Sequence, residues 1–169
     1  MSAAPRYFGK YRGTVVQNLD PENRGRIQVQ LGDRYGLFPT TWALPSFPVA
    51  FLQSGVVAVP PLQASVWVEF EAGDPNYPIW SGAFYESPGE MPALTALGTP
   101  ATPPIVMQTV GQVTLMLSDN PAQNVLIKTL TGAMIQIGEA GIVISNGKGA
   151  SISLVGPSVI VNGGALAVT

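Results

Sequence analysis

The C-terminal third of the chain repeats one small pattern, in which two apolar residues stand at positions i and i+2. Short segments containing Gly, Asn, Ser or Pro separate successive pairs. This spacing gives an extended strand one apolar face, and the segments between the pairs have the composition of tight turns. The pattern therefore predicts a run of very short strands. The pairs are Val113/Leu115/Leu117, Val125/Ile127, Ile135/Ile137, Ile142/Ile144, Ile152/Leu154, Val159/Val161 and Leu166/Val168.

A sheet built from these strands has no obvious partner layer within one chain. An apolar face needs cover, and no helical pattern or second sheet remains beyond residue 104 to supply it. Three copies around an axis would close into a prism with this face inside, so we predict a trimeric β-helix or β-prism needle. The alternative is half of a β-sandwich completed by the N-terminal region. The predicted trimer core consists of Val125, Ile127, Ile135, Ile137, Ile142, Ile144, Ile152, Leu154, Val159 and Val161.

The first 86 residues hold most of the charges and nearly all of the aromatic residues, and they are also predicted to be all-β. Runs of β-branched and aromatic residues lie at 10–18, 25–31, 65–71 and 78–85, with turn-forming segments between them. About five short strands favour an OB-fold barrel, with an SH3-like barrel as the alternative. Proline-rich residues 87–104 predict an extended connector. The predicted domains are thus a barrel (1–86), a connector (87–104) and a needle (105–169).

The composition argues against several classes of function. Only 11% of the residues are charged, yet no apolar run reaches the roughly 18–20 residues of a membrane-spanning helix, so we expect burial against other copies. Without histidine or cysteine, the chain lacks the commonest general base and any thiol chemistry. A net charge of −2 argues against a nucleic-acid surface. We expect no enzymatic activity, cofactor, metal or secretory signal.

Several residue groups have both a functional and a structural interpretation. The segment Asp20–Arg26 could be a calcium loop, but its acids lack the required spacing, which favours a turn in which Gly25 takes a positive φ. Arg26 could pair with Glu69 or Glu71 across the barrel. The nearby acids Glu69, Glu71 and Asp74 could form a glycosidase-like pair, although a turn at residues 73–76 explains Asp74 more simply.

The aromatic residues and the Asn-Gly segments also admit two interpretations. A base- or sugar-stacking platform is one role for the aromatics, and barrel core with inter-subunit contact is the other. Residues 146–149 and 162–164 are expected to be tight turns and not phosphate cradles. The aromatics in question are Trp42, Trp67, Trp80, Tyr77, Phe84 and Tyr85.

Two segments of the N-terminal region resemble a known family. DPENRGRIQVQL (20–31) and VAVPPLQASVWVEFEAGDPNYPIWSGAFY (57–85) are similar to the OB-fold motifs of VgrG proteins and phage baseplate protein V. Gln63 stands where that family usually has a glycine, and the loop at 45–55 is unusually apolar, so we expect it to contact a neighbouring subunit. The matching residues, with structural roles implied, are Asp20, Pro21, Gly25, Arg26, Pro60, Pro61, Trp67, Glu69, Phe70, Gly73, Asp74, Pro78, Trp80 and Gly82.

The resemblance implies a structural role as the central spike of a contractile injection machine. Such a spike would be a homotrimer in the baseplate of a virion or injection particle, assembled in the cytoplasm, which pierces the target envelope. It would dock to a separate hub protein and carry a PAAR-type tip protein at its C-terminal end. Some family members insert a lysozyme domain where this chain has only its connector. The alternative is an OB-fold module that binds an oligosaccharide or single strand, with an oligomerising β stalk.

Overall fold

The computed structural model describes residues 5–32 and 39–168, which belong to two compact units. The first unit is Met1–Glu90 and the second is Met91–Thr169. Both are built of β-strands, turns and short 3-10 helices, so the all-β prediction is confirmed. In the described ranges, no helix has the length and apolar character needed to cross a membrane. The boundaries at 86 and 104 stay a prediction.

The first unit is a five-stranded sheet that curls until its two edges meet. The strand order is β2-β1-β6-β7-β3, antiparallel throughout except for the parallel pair β3–β7. A bridge between Ile27 and Ala43, whose two hydrogen bonds measure 3.2 and 2.8 Å, joins the edges. This is the OB-type barrel expected from the sequence. The strands are β1 (Tyr11–Gln17), β2 (Gln28–Leu31), β3 (Leu44–Pro45), β6 (Ser65–Phe70) and β7 (Pro78–Ala83).

Alternating side chains of β6 supply much of the barrel interior. Val66 and Val68 are fully buried and Phe70 is nearly so, whereas Trp67 between them faces outward and is half-buried. This confirms the strand predicted at 65–71, in which Val66, Val68 and Phe70 alternate with Trp67 and Glu69, because every second residue of a strand faces the same side. The remaining buried members of the core are Val15, Ile27, Val29, Leu31, Ala43 and Trp80.

Two features of the chain differ from the sequence prediction. Strands β4 (Ala50–Phe51) and β5 (Ser54–Gly55) form a small separate hairpin in the segment predicted as an apolar loop. The connector is not fully extended, because it contains 3-10 helices at Pro88–Glu90 and Ala93–Leu97. Proline suits the first position of a helix, where no N–H is needed. The Glu90 carboxylate also accepts the Glu86 N–H at 3.0 Å, which closes this turn.

The second unit is an antiparallel meander of eight strands, in which each strand pairs with the next along the chain. β8 precedes all of the predicted apolar pairs, and β9 to β15 correspond to them one by one. The strands are β8 (Ile105–Gln108), β9 (Thr114–Leu117), β10 (Val125–Lys128), β11 (Ala133–Gly138), β12 (Gly141–Asn146), β13 (Ser151–Val155), β14 (Ser158–Val161) and β15 (Leu166–Val168).

Close strand approach in this meander requires a glycine at the start of β12. Gly141 has φ +140°, and a Cβ atom at this position would lie 2.0 Å from the Leu154 carbonyl oxygen. The contact is to backbone of the neighbouring strand β13, so no side-chain rotation can relieve it. Glycine is therefore needed both for the backbone conformation and for the strand pairing.

We predict that Gly141→Ala destabilises the second unit, because the pairing of β12 with β13 must shift to admit the methyl group. The loss should exceed about 1 kcal/mol, measured by urea unfolding followed by circular dichroism. Gly111→Ala is the matched control, since a Cβ there comes no closer than 3.9 Å to its nearest neighbour, Thr109 Oγ1. Equal stability of the two variants would contradict this account of Gly141.

Candidate trimer interface and barrel clamp

The register of the meander aligns the apolar residues of all eight strands in two rows. The rows run across the strands on one face of the sheet, because their members are paired or lie two residues apart. We call this surface the apolar face. One row is Ile105, Leu117, Val125, Ile137, Ile142, Leu154 and Val159, and the other is Met107, Leu115, Ile127, Ile135, Ile144, Ile152, Val161 and Leu166.

All ten residues predicted to form the trimer core lie in these two rows. Most of them are 37–46% exposed in the single chain, and the others are half-buried. Large apolar side chains are rarely left open to water over so long a continuous surface. The more exposed members are Ile127, Ile135, Ile137, Ile144, Ile152, Leu154 and Val159.

The apolar face carries no charge. Of the four charged residues after residue 104, only Lys128 lies on a strand, and the other three lie in turns. Lys128 pairs with Met134 and Thr114, in a row that faces the opposite side of the sheet. No charge would therefore have to lose its hydration if another molecule covered the apolar face.

The opposite side of the sheet is partly covered by the chain itself. The loop between β9 and β10 folds back onto β11: Gln136 Nε2 donates to the Ala122 carbonyl at 3.1 Å, and Gln123 Nε2 donates to Gln136 Oε1 at 3.2 Å. On this side Met116 and Leu126 are only 1% and 3% exposed. The chain thus covers part of one side and leaves the apolar face open.

Side-chain hydrogen bonds shape the turns along one edge of the sheet. Asn146 Oδ1 accepts the N–H groups of Lys148 (2.8 Å) and Ala150 (3.1 Å), and Asn162 Oδ1 accepts the Ser151 N–H at 3.0 Å. The two bonds to Asn146 are the local kind with which asparagine closes tight turns, whereas the bond to Asn162 joins its turn to the start of β13. Both Asn-Gly segments are therefore turns between strands, as predicted.

The family motif of the barrel centres on the carboxylate of Asp20. Its oxygens accept the N–H groups of Glu22, Arg24 and Arg26 at 2.8–3.2 Å. The Arg26 guanidinium adds side-chain bonds at 2.6–3.1 Å, and the Asp20 side chain is only 3% exposed. Gly25 takes φ +74°, as predicted for this turn. We call this arrangement the Asp20 clamp.

The predicted pairing of Arg26 with Glu69 or Glu71 is wrong. Arg26 bonds to Asp20 and to Glu22 (3.0 Å) within its own turn, where the backbone already brings the three side chains together. Its guanidinium lies 5.6 Å from the ring centroid of Trp42. Glu69 instead forms an ion pair with Lys10, whose Nζ also donates to Ser81 Oγ at 2.7 Å.

The clamp and the Lys10 pair both favour the ionised form of a carboxylate. Hydrogen bonds from the Arg26 guanidinium hold the pKa of Asp20 far below its ordinary value, against the effect of burial. The Lys10 ammonium, and after it the Ser81 hydroxyl, lower the pKa of Glu69. The depressed pKa values thus come from pairing within the barrel.

The three acids that were considered as a catalytic pair have different local roles. Glu69 faces out of β6 and is held by Lys10, whereas Glu71 has left the strand and begins a 3-10 helix. Asp74 Oδ1 accepts the Asn76 N–H at 3.0 Å, which makes the predicted turn. Among the residues that the structure describes, no group of three or more acids could hold a metal ion.

The three tryptophans occupy different environments and do not form one stacking platform. Trp80 is in the core, where its Nε1 donates to the Gly25 carbonyl at 3.1 Å and Phe47 meets its ring edge-on at 5.6 Å. Trp67 lies on the outer side against Phe84, at 4.7 Å between centroids. The guanidinium of Arg12 covers both of these outer rings, at 5.2 and 4.8 Å.

The other motif residues support the barrel where the backbone bends or comes close to its neighbours. Pro60 is buried, and its carbonyl accepts Asn18 Nδ2 at 3.1 Å. Gly73 and Pro78 are buried at the two ends of the β6–β7 turn, and Gly82 (φ +118°) lies where the β6–β7 register shifts. Gln63 has φ +68°, so it keeps the backbone conformation suited to the glycine expected at its position. Pro21 and Pro61 lie in exposed turns.

Comparison with known protein families assigns a match to each unit. Residues 11–85 match the family described as the type VI secretion system/phage-baseplate injector OB domain. Residues 104–167 match the phage baseplate V C-terminal trimerisation domain. No curated protein sequence matches the chain. The second match coincides with the sheet that carries the open apolar face.

We predict that Asp20→Asn lowers the stability of the barrel at neutral pH, because the amide cannot replace the ionic bonds to Arg26. A depressed native pKa stabilises the fold above the ordinary aspartate pKa of about 3.9, and this contribution is lost as the pH falls below it. The difference between wild type and variant should be constant from about pH 7 to 5 and shrink below about pH 4. Tryptophan fluorescence reports on the barrel alone, since all three tryptophans precede residue 81.

Asp74→Asn is the control for this experiment. The Asp74 carboxylate also accepts a backbone N–H in a turn, but it forms no salt bridge among the described residues. Its effect on the urea midpoint should not depend on pH in the same way. If the two variants had parallel pH profiles, the pairing with Arg26 would not be the source of the effect.

Proposed function

This chain belongs to the phage baseplate V family, and from that premise we propose that it is the central spike of a contractile injection machine, such as a phage tail or a related bacterial device. The observation that carries the proposal is the uncharged apolar face, which runs across eight strands and is uncovered in the single chain. Three copies around one axis would bury this face completely. The trimer is the assembly for which the matched C-terminal domain is named.

In the proposed spike the three sheets form a prism, and the strands lie across its axis. Eight strands at about 4.8 Å spacing give a prism about 35–40 Å long. The backbone hydrogen bonds between successive strands then point along the axis, and the apolar side chains interlock inside. An axial load from contraction of the sheath would act on hydrogen bonds and packed core together, which suits a part that transmits force.

We further propose that the prism enters the target envelope while the barrel docks to a hub protein. The second unit has only four charged residues, so little charge must be dehydrated when the prism enters lipid. A PAAR-type tip protein would close the far end of the prism. The proposed role is mechanical. In the described part of the barrel, Asp20, Glu22 and Glu69 form ion pairs and Asp74 closes a turn.

Ile144→Asn is expected to dissociate the trimer, because the side chain lies in the middle of the apolar face and is 43% exposed in the single chain. Each trimer loses three buried isoleucines, worth about 1.5–3 kcal/mol each, and gains three buried amides. Native mass spectrometry should find three chains for the wild type and a single chain for the variant at micromolar concentration.

Val143→Asn is the matched control for Ile144→Asn. Val143 is the preceding residue on β12 and faces the opposite side of the sheet. The control should keep the mass of three chains. A wild-type chain that is a folded monomer, or a control that dissociates as readily as Ile144→Asn, would contradict the proposed prism.

Piercing is tested separately by a chain that ends after Pro104, which keeps the barrel and removes the meander. We expect particles assembled with this chain to lose killing or injection by at least tenfold, because nothing would transmit the contraction force to the envelope. The control is a full-length chain with Gly111→Ala. Truncated particles that assemble and inject normally would exclude piercing by the meander but would leave the trimer proposal untouched.

A further inference from the structure

The hairpin formed by β4 and β5 carries the most exposed apolar tip in the described part of the barrel unit. Phe51 is 82% exposed and Leu52 is 81% exposed. Val49, Val56 and Val57, which flank the hairpin, are 55%, 58% and 70% exposed. Scattered apolar residues are normal on protein surfaces, but a contiguous group of this kind marks an interaction site.

Backbone contacts hold the two strands of the hairpin together. The Val56 N–H donates to the Val49 carbonyl at 3.1 Å, and Ala50 and Phe51 pair with Gly55 and Ser54. The backbones are so close that a Cβ atom at Gly55 would lie 2.7 Å from the Val49 carbonyl oxygen. The tip is therefore already ordered, and docking would cost little conformational entropy.

Two residues outside the hairpin anchor its base in the barrel. Phe47 packs against the core and meets Trp80 edge-on, with 5.6 Å between the ring centroids. Val59 packs against the same core on the return path of the chain. The fold thus packs Phe47 and Val59 against the core and presents Phe51 and Leu52 to solvent.

The hairpin lies within a long uncharged segment of the chain. No charged residue occurs between Arg34 and Glu69. Interface cores are depleted in charged residues and enriched in aromatic ones, as this tip is. Two identical copies can also bring such surfaces together without repulsion between like charges.

A second copy of this chain is the partner whose presence beside the barrel follows from the trimerisation domain. The 18 residues from 87 to 104 span at most about 60 Å, while a folded unit of this size is about 30 Å across. Three tethered barrels therefore stay at high effective concentration, so even a modest contact between them is occupied.

We propose that Phe51 and Leu52 of each barrel dock onto the barrel of the neighbouring copy in the trimer. In a threefold ring each copy offers its hairpin to the next and receives that of the previous one, and the ring closes. Exposed apolar side chains elsewhere on the barrel, such as Leu19 (80%) and Leu62 (53%), provide surface of matching chemistry. This proposal depends on the proposed trimer but not on the proposed piercing of the envelope.

Photocross-linking of the full-length trimer tests the proposal directly. The chain has no cysteine, so Leu52→Cys gives one attachment site for a benzophenone probe. We expect cross-linked dimers and trimers of the chain, with the captured peptide inside residues 5–90 of another copy. The yield should not change on tenfold dilution, because the contact lies within one trimer. Tyr77→Cys, at a position that is 61% exposed on the same unit, is the control and should give at least fivefold less inter-chain product.

The stability of the barrel provides a second measurement. Phe51→Ser with Leu52→Ser should lower the barrel melting midpoint, followed by tryptophan fluorescence, by at least about 4 °C while the native mass stays at three chains. Tyr77→Ser should leave the midpoint unchanged. Phe51 and Leu52 are both exposed in the single chain, so the barrel with both substitutions should still fold.

Three results would overturn the inference, and they are distinguishable from failure of the spike proposal. A mass of three chains without cross-links between barrels rejects the hairpin contact and leaves the prism intact. If the labelled chain is instead assembled into particles, cross-links that capture only another baseplate protein assign the hairpin to that protein. A single-chain mass for the wild type rejects the prism and the hairpin contact together.

Discussion

The second unit depends on one constraint: a single chain forms the whole apolar face but does not bury it. The meander satisfies its internal backbone hydrogen bonds by pairing each strand with the next, so the local fold closes without help. The side chains of the apolar face, in contrast, are not buried by the single chain. The row that contains Ile127, Ile135 and Ile144 and the row beside it stay open over the whole sheet. Since apolar burial is the main favourable term in folding, the sheet and the trimer should form together.

The barrel differs from the sheet, because it buries its own core within one chain. Residues such as Val15, Val29 and Val68 are fully buried inside one chain, and the Asp20 clamp fixes the turn that leads into β2. Two of its ion pairs, Arg26 with Asp20 and Lys10 with Glu69, also form within the unit. The barrel buries its own core, whereas the sheet needs other copies to bury its apolar face. This difference explains why charged and aromatic residues are concentrated in the first unit.

The sequence predicted the parts of the fold that depend on periodicity. Runs of β-branched and aromatic residues located β1, β2, β6 and β7, and apolar pairs at i and i+2 located β9 to β15, because side chains of a strand alternate whatever the tertiary context. Neither pattern located β3 or the β4–β5 hairpin, since two-residue strands are too short to show it. The partner of Arg26 was predicted wrongly, because Glu69 and Glu71 across the barrel were the acids considered. The actual partner, Asp20, is brought close by a tight turn with Asn23 and Gly25 at positive φ. The Asp, Pro, Asn and Gly residues of the segment 20–26 already indicated this tight turn.

The same geometry that makes the sheet depend on its neighbours also suits it to carry force. In a closed prism, each chain can leave only by exposing its whole apolar face at once, because the rows are continuous from β8 to β15. Partial peeling would break inter-strand hydrogen bonds and expose isoleucines in the same step. Such coupling makes unfolding cooperative along the axis, so a load at one end is shared by all eight strands. A bundle of separate short elements would lack this property, which makes the uninterrupted register of the meander the structural basis for the proposed mechanical role.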